Sequence, residues 1–266
     1  MDEGLAQRVA SIDWYHTIEL ADGVITPGWL DHRKVLERIP LPLSLSGCRC
    51  LDVGTFNGFW AFEMERRGAE EVLAVDVLDP RRWDWPVNSD EATIREIGRR
   101  MAGGDGFEIA ADALGSKVRR LDRSVYGLER REVGQFDLAY VGSLLVHLRD
   151  PVLALERIAA VADTVVIVDG VDLALTLRHR RLPAARLDGR GRPWWWYPNL
   201  AGLGRLARAA GLELSQAPRL LFVPPGRGWR PKRWVPRALS SREGRYQLTA
   251  AWLGDPHGSL VAAHRR

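Results

Sequence analysis

From Cys48 to Val53 the chain is apolar except at Arg49 and Asp52, and this run stops at Gly54. Four residues later stands Gly58, followed by Phe59, Phe62 and Met64 at helical spacing and a close at Arg66-Arg67-Gly68. The pattern predicts strand, tight turn and helix. A second apolar run, Val72 to Val77, carries an acid at Asp76. Together these stretches predict the first βαβ unit of a doubly wound α/β domain, with a nucleotide-sized ligand expected at its carboxyl edge.

The same reading extends along the chain. Residues 89–114 have helical patterning interrupted at Gly103-Gly104, and Lys117 to Asp122 reads as the third strand. Phe136 to Leu144 reads as the fourth strand, running on through His147 to Pro151, which suits the first turn of a helix. Thr164 to Val168 is a continuous apolar run of the kind that parallel sheets bury, closing at Asp169. An excursion from Asp169 to Asn199 is too long for an ordinary loop of this architecture. Asn199 then suits a helix N-cap, and Leu200, Leu203 and Leu206 repeat helically up to Gly211. Leu212 to Leu214, Leu220 to Val223, Tyr246 to Trp252 and Ser259 to Ala263 are expected as the remaining strands. Before the first strand, Trp29 to Ile39 reads as a short helix ended by Pro40 and Pro42.

These elements predict a Rossmann-like fold with a seven-stranded, mostly parallel sheet and helices on both faces. They divide the chain into an N-terminal lid or cap segment (1–46) and a core domain (47–266) with a substrate-side insertion (169–198). The aromatic stretch Trp14-Tyr15-His16 either folds over the carboxyl edge as a lid or packs against the core surface. Trp194-Trp195-Trp196-Tyr197 either caps the site or buries against the N-terminal segment, since four consecutive aromatics are costly to leave in water.

Composition narrows the classes. In 266 residues, 46% are hydrophobic and 27% charged, as in ordinary globular proteins. No run of about 18 apolar residues exists and the start lacks a signal-peptide pattern, so a cytoplasmic protein with no membrane partner is expected. Cys48 and Cys50 give no metal set. The net charge is +4, and only three of 38 basic residues are lysines. The basic residues concentrate at Arg178 to Arg192 and Arg219 to Arg245, the latter including a proline-rich loop with Trp229 and Trp234. Such patches attract phosphates, but solvated arginine loops are also common, so nucleic acid stays undecided.

The turn after the first strand decides which ligand is expected. A dinucleotide fingerprint uses three glycines around a pyrophosphate at a helix N-terminus. Here Asp52-Val53-Gly54-Thr55-Phe56-Asn57-Gly58 has two glycines and an acid, which would repel a pyrophosphate but not a sulfonium. The missing third glycine opposes an NAD(P) oxidoreductase. The stretch resembles motif I of the class I S-adenosylmethionine (SAM) methyltransferases. Gly142-Ser143 before His147, and the aromatic-Pro-Asn run Trp196 to Asn199, extend the likeness to the group that includes the tRNA wobble-uridine (carboxy)methyltransferases. It covers roughly residues 10–223.

The resemblance implies SAM as cofactor and S-adenosylhomocysteine (SAH) as product. It places the cofactor against Asp52, Gly54, Thr55, Phe56, Asn57, Gly58, Asp76, Val77, Asp122, Gly142 and Ser143. Asp76 would bind the ribose hydroxyls and Asp122 the adenine amino group. The carboxymethyltransferases hold the extra carboxylate of carboxy-SAM with a tyrosine before the turn histidine and a lysine from a longer N-terminal domain. This chain has Val146 there, and only Lys34 in its short N-terminal segment. A carboxylate would lack those charge-assisted hydrogen bonds, so ordinary SAM is favoured over carboxy-SAM.

For methyl transfer to a hydroxyl, His147 is the expected base and His16 a second candidate, or a group that positions substrate. Trp14, Tyr15, Trp196, Tyr197 and Asn199 are candidate substrate residues. No metal site is expected. Three functions remain open: O-methylation of a small molecule such as a sugar, tRNA modification, and a SAM- or SAH-binding module without catalysis.

Overall fold

The computed structural model describes residues 3–101, 104–230 and 241–264. Gly103 and Trp234, and with them the middle of the expected basic loop, lie outside the described residues. In chain order the strands are β1 (Trp14–His16), β2 (Gly28–Leu30), β3 (Arg49–Val53), β4 (Glu71–Asp76), β5 (Arg119–Asp122), β6 (Phe136–Gly142), β7 (Ala162–Gly170), β8 (Ala185–Leu187), β9 (Trp196–Pro198), β10 (Leu212–Leu214), β11 (Arg219–Val223) and β12 (Asp255–His264). The helices are α1 (Glu3–Ala10), α2 (Phe59–Arg66), α3 (Glu91–Met101), α4 (Gly104–Leu114), α5 (Arg130–Val133), α6 (Pro151–Ala159), α7 (Leu173–Arg178), α8 (Leu200–Ala209) and α9 (Arg242–Trp252).

The central sheet runs β5-β4-β3-β6-β7-β12, with β10 and β11 both outside β12. Strands β3 to β7 pair in parallel, while β12 runs antiparallel to β7, β10 and β11. β11 pairs with residues 255–259 of β12 and β10 with 262–264, so two short strands share the seventh position. The expected seven-stranded width is therefore present, built from eight strands. The chain order reverses between β3 and β6, which is where a doubly wound sheet opens a ligand crevice.

Alternation along each strand divides the core. Leu51, Val53, Val165 and Ile167 face α6 and α8, packing with Leu155, Ile158 and Leu203. Cys50, Tyr140, Val166 and Val168 face the other way, toward Phe59, Trp60 and Met64 of α2 and toward Trp14. Both faces are covered, as parallel sheets require. Trp60 stacks on Tyr140 with ring centroids 4.3 Å apart and is almost fully buried.

Two expectations need correction. Trp29 to Ile39 is helical only from His32 to Arg38, as a 3-10 helix, because Gly28–Leu30 pairs in parallel with β1. The close pairing explains why, since a Cβ on Gly28 would come within 2.2 Å of the His16 carbonyl carbon. Tyr246 to Trp252 is not a strand but part of α9, which Ser241 caps by accepting from the Gly244 N–H. The expected strand is supplied by a longer β12 instead.

The N-terminal segment is tied to the core by its backbone. Asp31 N–H donates to Pro224 and Gly226 N–H to Trp29, so β2 docks beside the exit of β11. Among the described residues no helix is long and apolar enough to cross a membrane.

Two outcomes follow for stability. Trp60→Ala is expected to cost roughly 3–5 kcal/mol in chemical unfolding, since it empties a closed stacking site. Asp52 is buried in β3, and burial pushes its carboxyl up to about 7. The folded protein then holds a proton that the unfolded chain, with a carboxyl near 3.9, has already lost. Its contribution to stability is present below about pH 4 and is lost as pH rises toward 7. Asp52→Asn should flatten that decline, by at most about 4 kcal/mol. Urea midpoints measured across this pH range check it, and parallel curves for both proteins would contradict it.

Candidate active site

The crevice at the carboxyl edge is a cleft enclosing ≈ 980 Å³ including its open mouth. Its floor comes from the ends of β3, β4 and β6, with Gly54, Asp76 and Gly142. Tyr15 and His16 close one side, and Trp83, Tyr126, His147 and Pro193 form others.

The turn after β3 has the conformation that its glycines anticipate. Gly54 and Gly58 have φ of 80° and 88°, and Phe56 between them has φ 49°. An aromatic residue held at positive φ stores strain of the kind found at functional sites. A hydrogen bond holds it there: Phe56 N–H donates to Asp76 Oδ2 at 2.7 Å, while Val77 N–H donates to Oδ1 at 2.7 Å. Each oxygen keeps a further lone pair, so Asp76 has acceptor capacity left for the two hydroxyls of a ribose. Burial pushes its carboxyl up to about 6. This donor set fits SAM, with the apolar walls Val53, Val75, Val77 and Val125 and the rings of Trp83 and Tyr126 available to the remainder.

Of the expected cofactor residues, Gly54, Phe56, Asp76, Val77, Gly142 and Ser143 line the cleft. Asp52, Thr55, Asn57, Gly58 and Asp122 do not. Asp52 lies beneath the turn and accepts from Ala61 N–H at 3.1 Å, anchoring α2. Thr55 and Asn57 are buried, and Asn57 accepts from Tyr15 N–H at 2.9 Å, fastening β1 to the turn. Gly58 N-caps α2 in the left-handed conformation. Asp122 is turned away, accepting from Arg82 at 2.8 Å and from Leu78 N–H at 3.2 Å. Its successors Arg123, Ser124 and Val125 line the cleft in its place.

Both candidate bases reach the cleft. His147 places Nδ1 2.8 Å from the Pro193 carbonyl oxygen, which only accepts, so Nδ1 carries the proton and Nε2 keeps its lone pair. Burial lowers its pKa, keeping it neutral at physiological pH. His16 is pushed down to about 3 by burial among Tyr15, His32 and Phe59, and is a much weaker proton acceptor. Its Nδ1 and that of His32 are buried without a hydrogen-bond partner.

Among the substrate candidates only Tyr15 lines the cleft. Trp14 is buried in the core and donates to the Val9 carbonyl at 2.9 Å. Asn199 is fully engaged: its Oδ1 accepts from Gly202 and Ala184 N–H, and its Nδ2 donates to the His179 and Leu182 carbonyls. It staples the insertion. Trp196 and Tyr197 lie in β9, outside the lining; Tyr197 carries Arg186 over its ring at 4.3 Å. The aromatic run meets the cleft at its rim, where Trp194 lies edge-on to the cleft-lining His147 with ring centroids 5.0 Å apart. Trp195 Nε1–H donates to the Asp84 carbonyl at 2.7 Å and Trp196 Nε1–H to Arg149 at 3.0 Å, docking the insertion on the loops after β4 and β6. Only Pro193, just before the run, joins the cleft wall.

Two functional-looking residues escaped the sequence reading. His257, on β12, is buried with Nε2 2.9 Å from the Ser143 hydroxyl. Asp169 accepts from the N–H groups of Leu144 and Leu145, both at 2.7 Å, and fixes the turn that leads to His147. Neither sits in a recognisable motif, and both depend on strand pairing across the sheet.

No protein-family model matches the chain, and no curated protein matches it in sequence. Solved structures do. The chain is similar to the N-terminal domain of EvdMO1, solved with SAH and D-fucose, at 16% identity and a TM-score of 0.53, covering 100% of this chain and 98% of that one. It is similar to the [4+2]-cyclase SpnF at 16% identity and TM-score 0.53, covering 98% and 91%. A third similarity is to the Haloferax volcanii complex that contains the Trm112 methyltransferase activator, at 14% identity and TM-score 0.51, covering 88% and 89%. With the sheet order and the turn after β3, these likenesses show that the chain has the class I SAM-dependent methyltransferase fold.

Proposed function

We propose that the chain is a SAM-dependent methyltransferase that methylates a hydroxyl of a small molecule such as a sugar. The fold alone does not give the reaction, since SpnF, a cyclase, has a similar one. The observation that carries the reading is His147: a partly buried, neutral imidazole in the cleft wall whose free Nε2 is fixed by the Pro193 carbonyl.

When bound, SAM supplies a methyl group whose bond to sulfur breaks with its electron pair staying on sulfur, leaving SAH. The chain's own residues provide the rest. Asp76 and the turn from Gly54 to Phe56 hold the nucleoside. His147 Nε2 takes the proton of the acceptor hydroxyl as its oxygen bonds to carbon. The half-closed, largely apolar walls exclude water and orient the two reactants.

Several features support ordinary SAM and a small acceptor. Val146 lies outside the cleft lining, and Lys34 is exposed beside Asp31, so neither offers a donor for a carboxylate there. In the insertion, Arg186 pairs with Asp172 and Asp188, and Arg192 with Asp188. That neutralisation leaves less charge for a polyanion such as tRNA. The EvdMO1 domain, solved with SAH and a sugar, is similar over the whole chain.

Calorimetric titration with SAM, SAH and carboxy-SAM side by side tests the reading. SAM and SAH are expected to bind and carboxy-SAM to bind more weakly; binding of none would overturn it. Asp76→Ala should weaken SAH about tenfold or more, because two donors lose a charged acceptor, and unchanged affinity would remove Asp76 from the site. His147→Ala should leave SAH affinity nearly unchanged and lower turnover by roughly 10²–10⁴. Because burial lowers the His147 pKa, wild-type kcat at saturation should persist to lower pH than a solvent histidine would allow, and fall only below the ordinary range near 6.5.

A further inference from the structure

Behind the cleft wall runs a chain of hydrogen bonds that the proposed mechanism does not use. His257 Nδ1 lies 3.0 Å from the carbonyl oxygen of Asp255, and its Nε2 lies 2.9 Å from the hydroxyl of Ser143. The carbonyl can only accept, so Nδ1 bears the proton and Nε2 of the neutral ring bears a lone pair. Ser143 must then donate its one proton to His257. The serine oxygen keeps its lone pairs as acceptors.

The backbone is built to hold this arrangement. Ser143 has φ 51°, a conformation rare for side-chain-bearing residues, just where β6 ends. Its N–H is taken by the Val168 carbonyl at 3.0 Å, and the following turn is locked by Asp169. His257 is 1% exposed and opposite Gly170 in the β7–β12 pairing. Ser143 and Tyr15 line the cleft, and His257 does not.

We propose that Ser143 is a specificity-determining residue that accepts a hydrogen bond from a ligand's O–H or N–H group, and that His257 is the positioning residue that fixes its polarity. The inference rests on the cleft being the ligand site of the proposed methyltransferase. The donor is either the ammonium of the SAH amino-acid moiety or a hydroxyl of the acceptor.

The first measurement is made on the full wild-type chain with ¹⁵N-labelled histidine, by long-range nitrogen–proton correlation. The Nδ1-protonated neutral form of His257 is expected. The Nε2-protonated form would overturn the proposal, whether or not SAH binds.

The second measurement is calorimetric titration with SAH, and with D-fucose on the SAH complex, using wild type, Ser143→Ala and His257→Gln. Ser143→Ala should weaken one of these ligands about fivefold, the loss of one neutral hydrogen bond. Weakening of SAH identifies the ammonium, and weakening of D-fucose alone identifies the acceptor hydroxyl. For that ligand, His257→Gln should weaken binding by no more than Ser143→Ala does, because His257 acts only through the serine, and a larger loss would overturn its positioning role. Undiminished affinity for both ligands in Ser143→Ala would overturn the proposal. Failure of wild type to bind SAH would overturn the proposed function, while the tautomer measurement would still judge the serine's polarity.

Discussion

Three aspartates at strand ends, Asp52 and Asp169 buried and Asp76 half-buried at the cleft, take the backbone N–H groups of the turns around it. Asp52 accepts from Ala61 at the start of α2, Asp76 from Phe56 and Val77, and Asp169 from Leu144 and Leu145. Turns at the carboxyl edge of a parallel sheet expose donors with no strand to pair with, and a buried carboxylate satisfies several at once. Burial raises all three carboxyls toward neutrality. The cleft's shape is thus bound to the ionisation of groups that the sheet itself keeps dry. Phe56 and Ser143, the two non-glycine residues at positive φ among the described residues, both sit in turns held this way.

Much of this was legible in the sequence because it is local. The apolar run into Gly54, the spacing to Gly58 and the acid at Asp76 lie within one βαβ unit, where chain order nearly equals spatial order. The turn histidine was legible for the same reason: His147 follows its strand by five residues. Asn199 was correctly read as a helix cap, and its additional reading as a substrate residue gave way because four hydrogen bonds use all its capacity.

What stayed hidden is what antiparallel and crossover pairing brings together. His257 is 114 positions from Ser143 and meets it only because β12 lies beside β7. Asp122 stands at the expected strand end but does not line the cleft, and its carboxylate accepts from Arg82, which arrives from the loop after β4. Alternation misled at Tyr246 to Trp252, where a capped start at Ser241 outweighs the β-leaning residues. For His257 and Asp122 the deciding partner lies far away in sequence.

The insertion joins the rim of the cleft through indole N–H groups of Trp195 and Trp196 that bond to main-chain oxygens of Asp84 and Arg149. A main-chain oxygen is present whatever side chain its residue carries. The two loops that receive these tryptophans can therefore change sequence without loosening the joint, provided their backbone course is kept. Drift in the receiving loops can retune what the cleft admits while the roof stays fastened, so that recognition and closure are separable traits in the descent of such a chain.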